Sequence, residues 1–183
     1  CGWVSDEIGP GTFAGGSLLV VAFEGWNDAG DAASGAARAI RDQLQLQPIA
    51  ELEPEDYFDY QFNRPTVSID EAGDRVLEWP SVTLYGPGPD SSPTGSGLAV
   101  HVLLGTEPSR GWKTFAAEVI DAIEAVDVTA VVFLGAMLAD VPHTRPISVF
   151  ASSENPAVRD RFARERSTYE GAVGILSVLG AAA

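Results

Sequence analysis

The sequence predicts an α/β fold: a three-layer α/β/α arrangement with a mixed sheet. Three observations point to it. Two continuous apolar runs, residues 16–23 (GSLLVVAF) and 129–135 (TAVVFLG), read as strands buried on both faces. Stretches with helical apolar spacing alternate with these runs. A hairpin pattern lies between them, which makes the sheet mixed rather than wholly parallel.

The elements follow in order. Residues 1–16 read as an irregular lead-in, and residues 17–183 as one α/β/α domain. After the first strand, Asn27 or Asp28 caps a helix whose stripe is Ala29, Ala32, Ala33, Ala36, Ile40 and Leu44. Side chains that small let a helix lie close on a sheet. Residues 47–64 are acidic and interrupted by aromatics, as in a loop or a short connecting strand. Residues 66–70 and 75–79 flank a turn at Ala72-Gly73-Asp74 and form the hairpin, which Pro80 ends. Residues 82–85 make a short strand and 98–104 another, with a loop rich in Gly, Pro and Ser between them.

Trp112, Phe115, Ala116, Val119, Ile120 and Ile123 line one face of the clearest amphipathic helix, with Glu118, Asp121 and Glu124 opposite. Residues 147–151 read as a third strand. Asn155-Pro156 starts a further helix, whose arginines 159, 161, 164 and 166 form a solvated face. Tyr169-Glu170-Gly171 is a turn, and residues 172–179 are a helix or a strand.

Charge and composition exclude several functions. The formal net charge is −15, and the one lysine is Lys113. Such a surface repels phosphate backbones and anionic bilayers, so neither nucleic acid nor membrane is an expected partner. No apolar run approaches the roughly 18 residues that a membrane helix requires. The single cysteine, Cys1, permits no internal disulfide, which suits a cytoplasmic protein. Two separated histidines, His101 and His143, make no zinc set. Nucleotide-binding glycine fingerprints are missing as well, so no metal or cofactor is expected.

In open α/β sheets, ligands bind beyond the carboxyl ends of the strands. Two motifs fall there: FEGWNDAGDAA at 23–33 and GAMLADVPHTRP at 135–146. If their strands are neighbours, Asp140, His143 and Arg145 face Glu24, Asn27, Asp28 and Asp31 across one rim. His143 is then the candidate acid or base, Asp140 its orienting group, and Arg145 a balancing cation. The plainer alternative has Asn27 and Asp28 as helix caps, and Asp140 paired with Arg145 to stiffen a loop. No nucleophile motif accompanies the trio. His101, between two valines in a strand, is a packed structural histidine. Trp3, Tyr57, Phe58 and Tyr60 are either subunit contacts or packed beneath the hairpin.

Taken together, FEGWNDAGDAAS, FLGAMLADVPHTRP and STYEGAVGILSVL resemble bacterial members of the proteasome assembly chaperone 2 family. LEWP at 77–80 and EPSRGWKTF at 107–115 fit the same pattern. The resemblance implies a fold like the purine nucleoside phosphorylases (the phosphorylase/hydrolase class) and a cytoplasmic, self-associating protein. It implies proteasome core subunits as partners in an assembly role, because eukaryotic and archaeal members assist that assembly. The alternative is a nucleoside-like small-molecule binder, or a hydrolase- or phosphorylase-like enzyme. The residues it brings forward as a ligand or interface rim are Glu24, Gly25, Trp26, Asn27, Asp28, Gly30, Asp31, Gly135, Asp140, Pro142, His143, Thr144, Arg145, Tyr169, Glu170 and Gly171. In two respects this chain departs from the pattern. Ala172 and Val173 follow where relatives place glycine-proline after Tyr-Glu. Relatives also continue beyond the position of Ala183, through a further strand, a loop containing Pro-His-Tyr and C-terminal helices.

Overall fold

The computed structural model describes residues 16–52, 54–88 and 97–182. In chain order its main elements are β1 (Ser17–Glu24), α1 (Ala32–Gln43), β2 (Gln47–Leu52), β3 (Thr66–Ile69), β4 (Arg75–Glu78), β5 (Val82–Gly86), β6 (Ala99–Thr106), α2 (Trp112–Glu124), β7 (Ala130–Phe133), α3 (Pro156–Phe162) and α4 (Ile175–Ala182). Five strands form a mixed sheet in the order β2-β5-β6-β1-β7. β1 runs parallel to both its neighbours, β6 and β7. β5 pairs antiparallel with β6, and β2 antiparallel with β5. β3 and β4 form a separate two-stranded hairpin, in the predicted place.

Successive side chains of a strand point to opposite faces, and β1 uses both. Leu19, Val21 and Phe23 join Leu103, Phe115, Val119, Ile175 and Leu179 in one core, beneath α2 and α4. Val20 and Ala22 join Ala33, Ala37, Val102 and Leu104 in a second core, beneath α1. The helices therefore occupy both faces, as the sequence predicts. The α1 side is built from small residues and the α2 side from aromatic ones. Phe115 is fully buried, with its ring edge-on to Phe23 at 5.9 Å and to Tyr57 at 5.2 Å.

Several expectations need correction. The buried stripe of α1 is Ala33, Ser34 and Ala37, whereas Ala32 and Ala36 are exposed. The phase shifts because a 3-10 turn (Ala29–Asp31) precedes the helix, with Gly30 and Asp31 both in the left-handed region. β7 is an edge strand of four residues, only half-buried, because β1 alone pairs with it among the described residues. Residues 147–151 form no ladder: Ile147 is 88% exposed and Phe150 85%. A β-prone sequence needs a partner to become a strand, and propensity alone supplies none.

Tyr57 and Phe58 are buried in the core rather than displayed for subunit contacts. Tyr60 is half-buried, with its ring 4.9 Å from that of Trp79. Residues 172–179 resolve into an irregular approach followed by α4. The lead-in at 1–15, with Cys1 and Trp3, and positions 89–96 of the long loop lie outside the described residues.

His101 is the packed histidine expected, with its Nδ1 3.0 Å from the Ser17 hydroxyl. Burial pushes its imidazole below the ordinary range. The unfolded chain, near the usual ~6.5, then binds the proton more readily than the folded one. Stability should therefore fall as pH drops through about 6.5. Thermal unfolding followed from pH 7.5 downwards should show this loss, and His101→Gln should flatten it. Phe115→Ala should cost about 3–5 kcal/mol in a denaturant titration, because it removes the ring on which Phe23 and Tyr57 pack.

Candidate interface groove

β1, β6 and β7 are parallel, so their carboxyl ends open onto one rim. Three stretches leave that rim together. The first, residues 25–31, carries the chain from β1 towards α1. The second, residues 134–138, follows β7. The third begins at Glu107, after β6. Main-chain hydrogen bonds tie the first two: the Ala136 N–H donates to the Asn27 carbonyl at 2.7 Å, and the Ala29 N–H to the Ala136 carbonyl at 3.1 Å. Residues 167–174, leading into α4, close the remaining side.

Between these walls lies a groove of about 720 Å³. Trp26, Met137, Leu138, Tyr169 and Val173 supply its larger side chains, Asn27, Ser167 and Ser177 its small polar ones, and Gly25, Gly30 and Gly174 contribute main chain. Among the described residues, no charged side chain lines it. Trp26 is 71% exposed, Met137 81% and Leu138 90%.

The acidic residues of the first motif are engaged elsewhere. Glu24 forms an ion pair with Arg38 and accepts from the Thr106 hydroxyl at 3.3 Å. Arg38 also donates to Ser34 Oγ at 3.0 Å, which fixes its guanidinium over α1. The cation that balances Glu24 is thus Arg38, not Arg145. Asp28 is 6% exposed. Its Oδ1 accepts from the main-chain N–H groups of Ala33 at 2.8 Å and Ser34 at 3.0 Å, so Asp28, rather than Asn27, caps α1. It does so across the 3-10 turn, and its Oδ2 is left without a hydrogen-bond partner among the described residues. Asp31 is exposed.

Of the sequence-predicted rim residues, Gly25, Trp26, Asn27, Gly30 and Tyr169 line the groove. Gly135 sits beside Asn27, close to the groove. Asp140, Pro142, His143, Thr144 and Arg145 lie on the exposed stretch that follows and are not among the lining residues. No hydrogen bond or ion pair joins Asp140, His143 or Arg145 to one another or to the first motif among the described residues; the Arg145 N–H closes a turn onto the Pro142 carbonyl at 3.0 Å. The acid–histidine–arginine constellation is therefore not assembled at this rim. Glu170 and Gly171 are exposed beside Tyr169, whose hydroxyl donates to the Ala172 carbonyl at 2.9 Å.

Sequence reasoning missed Glu107 as a site residue. Its carboxylate accepts from the Trp26 N–H at 3.2 Å and from the Ile175 N–H at 2.8 Å, and so touches two walls of the groove. The signal was available, because Glu107 directly follows a buried strand that is parallel to β1, where the rim rule applies equally.

A model of the PAC2 family matches residues 22–183. Among solved structures, a PAC2 family protein from Streptomyces avermitilis is 38% identical, with a TM-score of 0.79 over 91% of this chain and 69% of its own. A proteasome-assembly chaperone homologue from Mycobacterium tuberculosis is 40% identical, with a TM-score of 0.78 over 90% of this chain and 68% of its own. A Mycobacterium tuberculosis protein of unknown function is 27% identical, with a TM-score of 0.73 over 90% of this chain and 55% of its own. A comparison with curated proteins finds no match.

The capping arrangement carries its own prediction. Asp28→Ala should destabilise the fold by about 0.5–2 kcal/mol, since two N–H groups of α1 lose their acceptor. Asp28→Asn retains Oδ1 and should recover most of that loss; urea unfolding of the two variants side by side measures the difference.

Proposed function

The chain belongs to the PAC2 family, and from that membership we propose that it is a protein-binding assembly factor whose groove at the β1/β7 rim is a docking surface. The observation that carries the proposal is the character of the groove. An uncharged surface with exposed Trp26, Met137 and Leu138 suits contact with another polypeptide. Aromatic and methionine side chains are the types enriched where proteins meet.

The partners proposed are proteasome core subunits, on the strength of the similar Mycobacterium tuberculosis protein described as a proteasome-assembly chaperone homologue. Self-association and a cytoplasmic setting belong to the same proposal. None of the described helices is long and apolar enough to cross a membrane.

The test is a binding titration of the purified protein against proteasome α subunits, followed by native mass spectrometry. A complex of fixed stoichiometry is expected. Trp26→Ala and Leu138→Asp should each weaken it at least tenfold, which corresponds to about 1.4 kcal/mol. The proposal fails if no complex forms at any stage of core assembly, or if both variants bind as tightly as the parent.

A further inference from the structure

We infer that Glu107 is the positioning residue of the groove, a single carboxylate that sets the gap between two of its walls. The inference deepens the reading of the groove as a docking surface and rests on it. Two of the walls, residues 25–31 and 134–138, hold each other through main-chain hydrogen bonds. The remaining wall, residues 167–174 with the start of α4, has no hydrogen bond to residues 25–31 among the described residues. What joins them is Glu107. Oε2 accepts from the Trp26 N–H at 3.2 Å, and Oε1 from the Ile175 N–H at 2.8 Å.

Glu107 itself is anchored to the sheet, since its own N–H donates to the Glu24 carbonyl at 2.9 Å. Its position therefore follows that of β1, and its two oxygens pass that position on to both walls. The Ile175 N–H belongs to the first turn of α4, where amides have no partner within the helix and negative charge is favoured.

The glycines on either side are cut to fit this carboxylate. Gly25 has φ +130, and a Cβ there would lie 3.2 Å from Glu107 Oε2. A Cβ at Gly174 would lie 2.9 Å from Oε1 and would collide with Asn27 Oδ1. Glu107 is not itself among the lining residues. It acts on whatever occupies the groove through Trp26 and through the segment that carries Tyr169 and Val173.

The test is Glu107→Gln in the intact chain. Glutamine offers one acceptor oxygen, and its NH2 group cannot accept from a second N–H, so one of the two ties is lost. Amide hydrogen exchange should accelerate at least tenfold in segments 25–27 or 174–176, while Val102, Leu103 and Leu104 in β6 exchange as before. Glu107→Asp, which keeps the charge but withdraws the carboxylate by one methylene from both amides, should give the same localised signature and serves as the second variant should the first not fold. Exchange unchanged in both variants, or accelerated uniformly across the sheet, overturns the inference. Because exchange is read on the chain alone, the result is separate from partner binding. A localised change with unaltered affinity for α subunits upholds the positioning role and counts against the groove as the docking surface.

Discussion

The structure depends on β1 being used completely. Both of its edges are paired in parallel, and both of its faces are covered. A strand so placed has no polar freedom: from Leu19 to Phe23 every side chain is buried. The alternation of its side chains then divides the molecule. Leu19, Val21 and Phe23 demand large partners, which α2 and α4 supply through Phe115, Val119, Ile175 and Leu179. Val20 and Ala22 leave a shallow face, on which α1 lies through its small buried residues Ala33, Ser34 and Ala37, with Ile40 packed at the edge. The same strand fixes the rim, because β6 and β7 run parallel to it and release their chains at the same end.

This dependence explains which parts of the fold were legible in the sequence. β1, α2 and the β3–β4 hairpin carry their reasons within themselves: an unbroken apolar run, a helical stripe, and two short strands around a turn. The start of α3 is equally local, since the Asn155 side chain accepts from the Ala157 N–H at 2.9 Å and Pro156 takes the first helical position. Residues 147–151 were misread because a strand is a property of a pair, and the sequence of one segment does not name its partner. The α1 stripe was misphased by the left-handed pair Gly30 and Asp31, a backbone feature that apolar spacing does not record. At the site, the sequence put both rim motifs at strand ends but left open whether those strands were neighbours, because strand order belongs to the whole sheet; the β1–β7 pairing supplies it. Glu107 was overlooked because its role lies in main-chain contacts to Trp26 and Ile175, distant in sequence.

The rim contains many charges and presents few of them to the groove. Glu24 is paired with Arg38, Asp28 is committed to the helix start, and Glu107 is committed to two amides. Each carboxylate has a structural task that its removal would expose. What remains facing the groove, among the described residues, is main chain, apolar side chains such as Leu138 and Val173, an indole, a thioether, a phenol, the Asn27 amide and the hydroxyls of Ser167 and Ser177. Contact recognition needs shape and uncharged surface, and the groove supplies those.

The chain's net charge of −15 gives this division a consequence. Long-range fields act over about 8 Å at physiological ionic strength, so they shape encounter rather than the final contact. An acidic body repels other acidic bodies, including a second copy of itself, until apolar surface meets apolar surface. An uncharged groove adds no repulsion of its own at that moment. Partners carrying basic or neutral surfaces therefore approach most readily and, with the groove as the proposed docking surface, the fit around Trp26 and Leu138 would then decide which of them stay. On this view the acidity and the groove act in sequence, the first selecting by charge and the second by shape, and Glu107 matters because only the second step depends on where the walls stand.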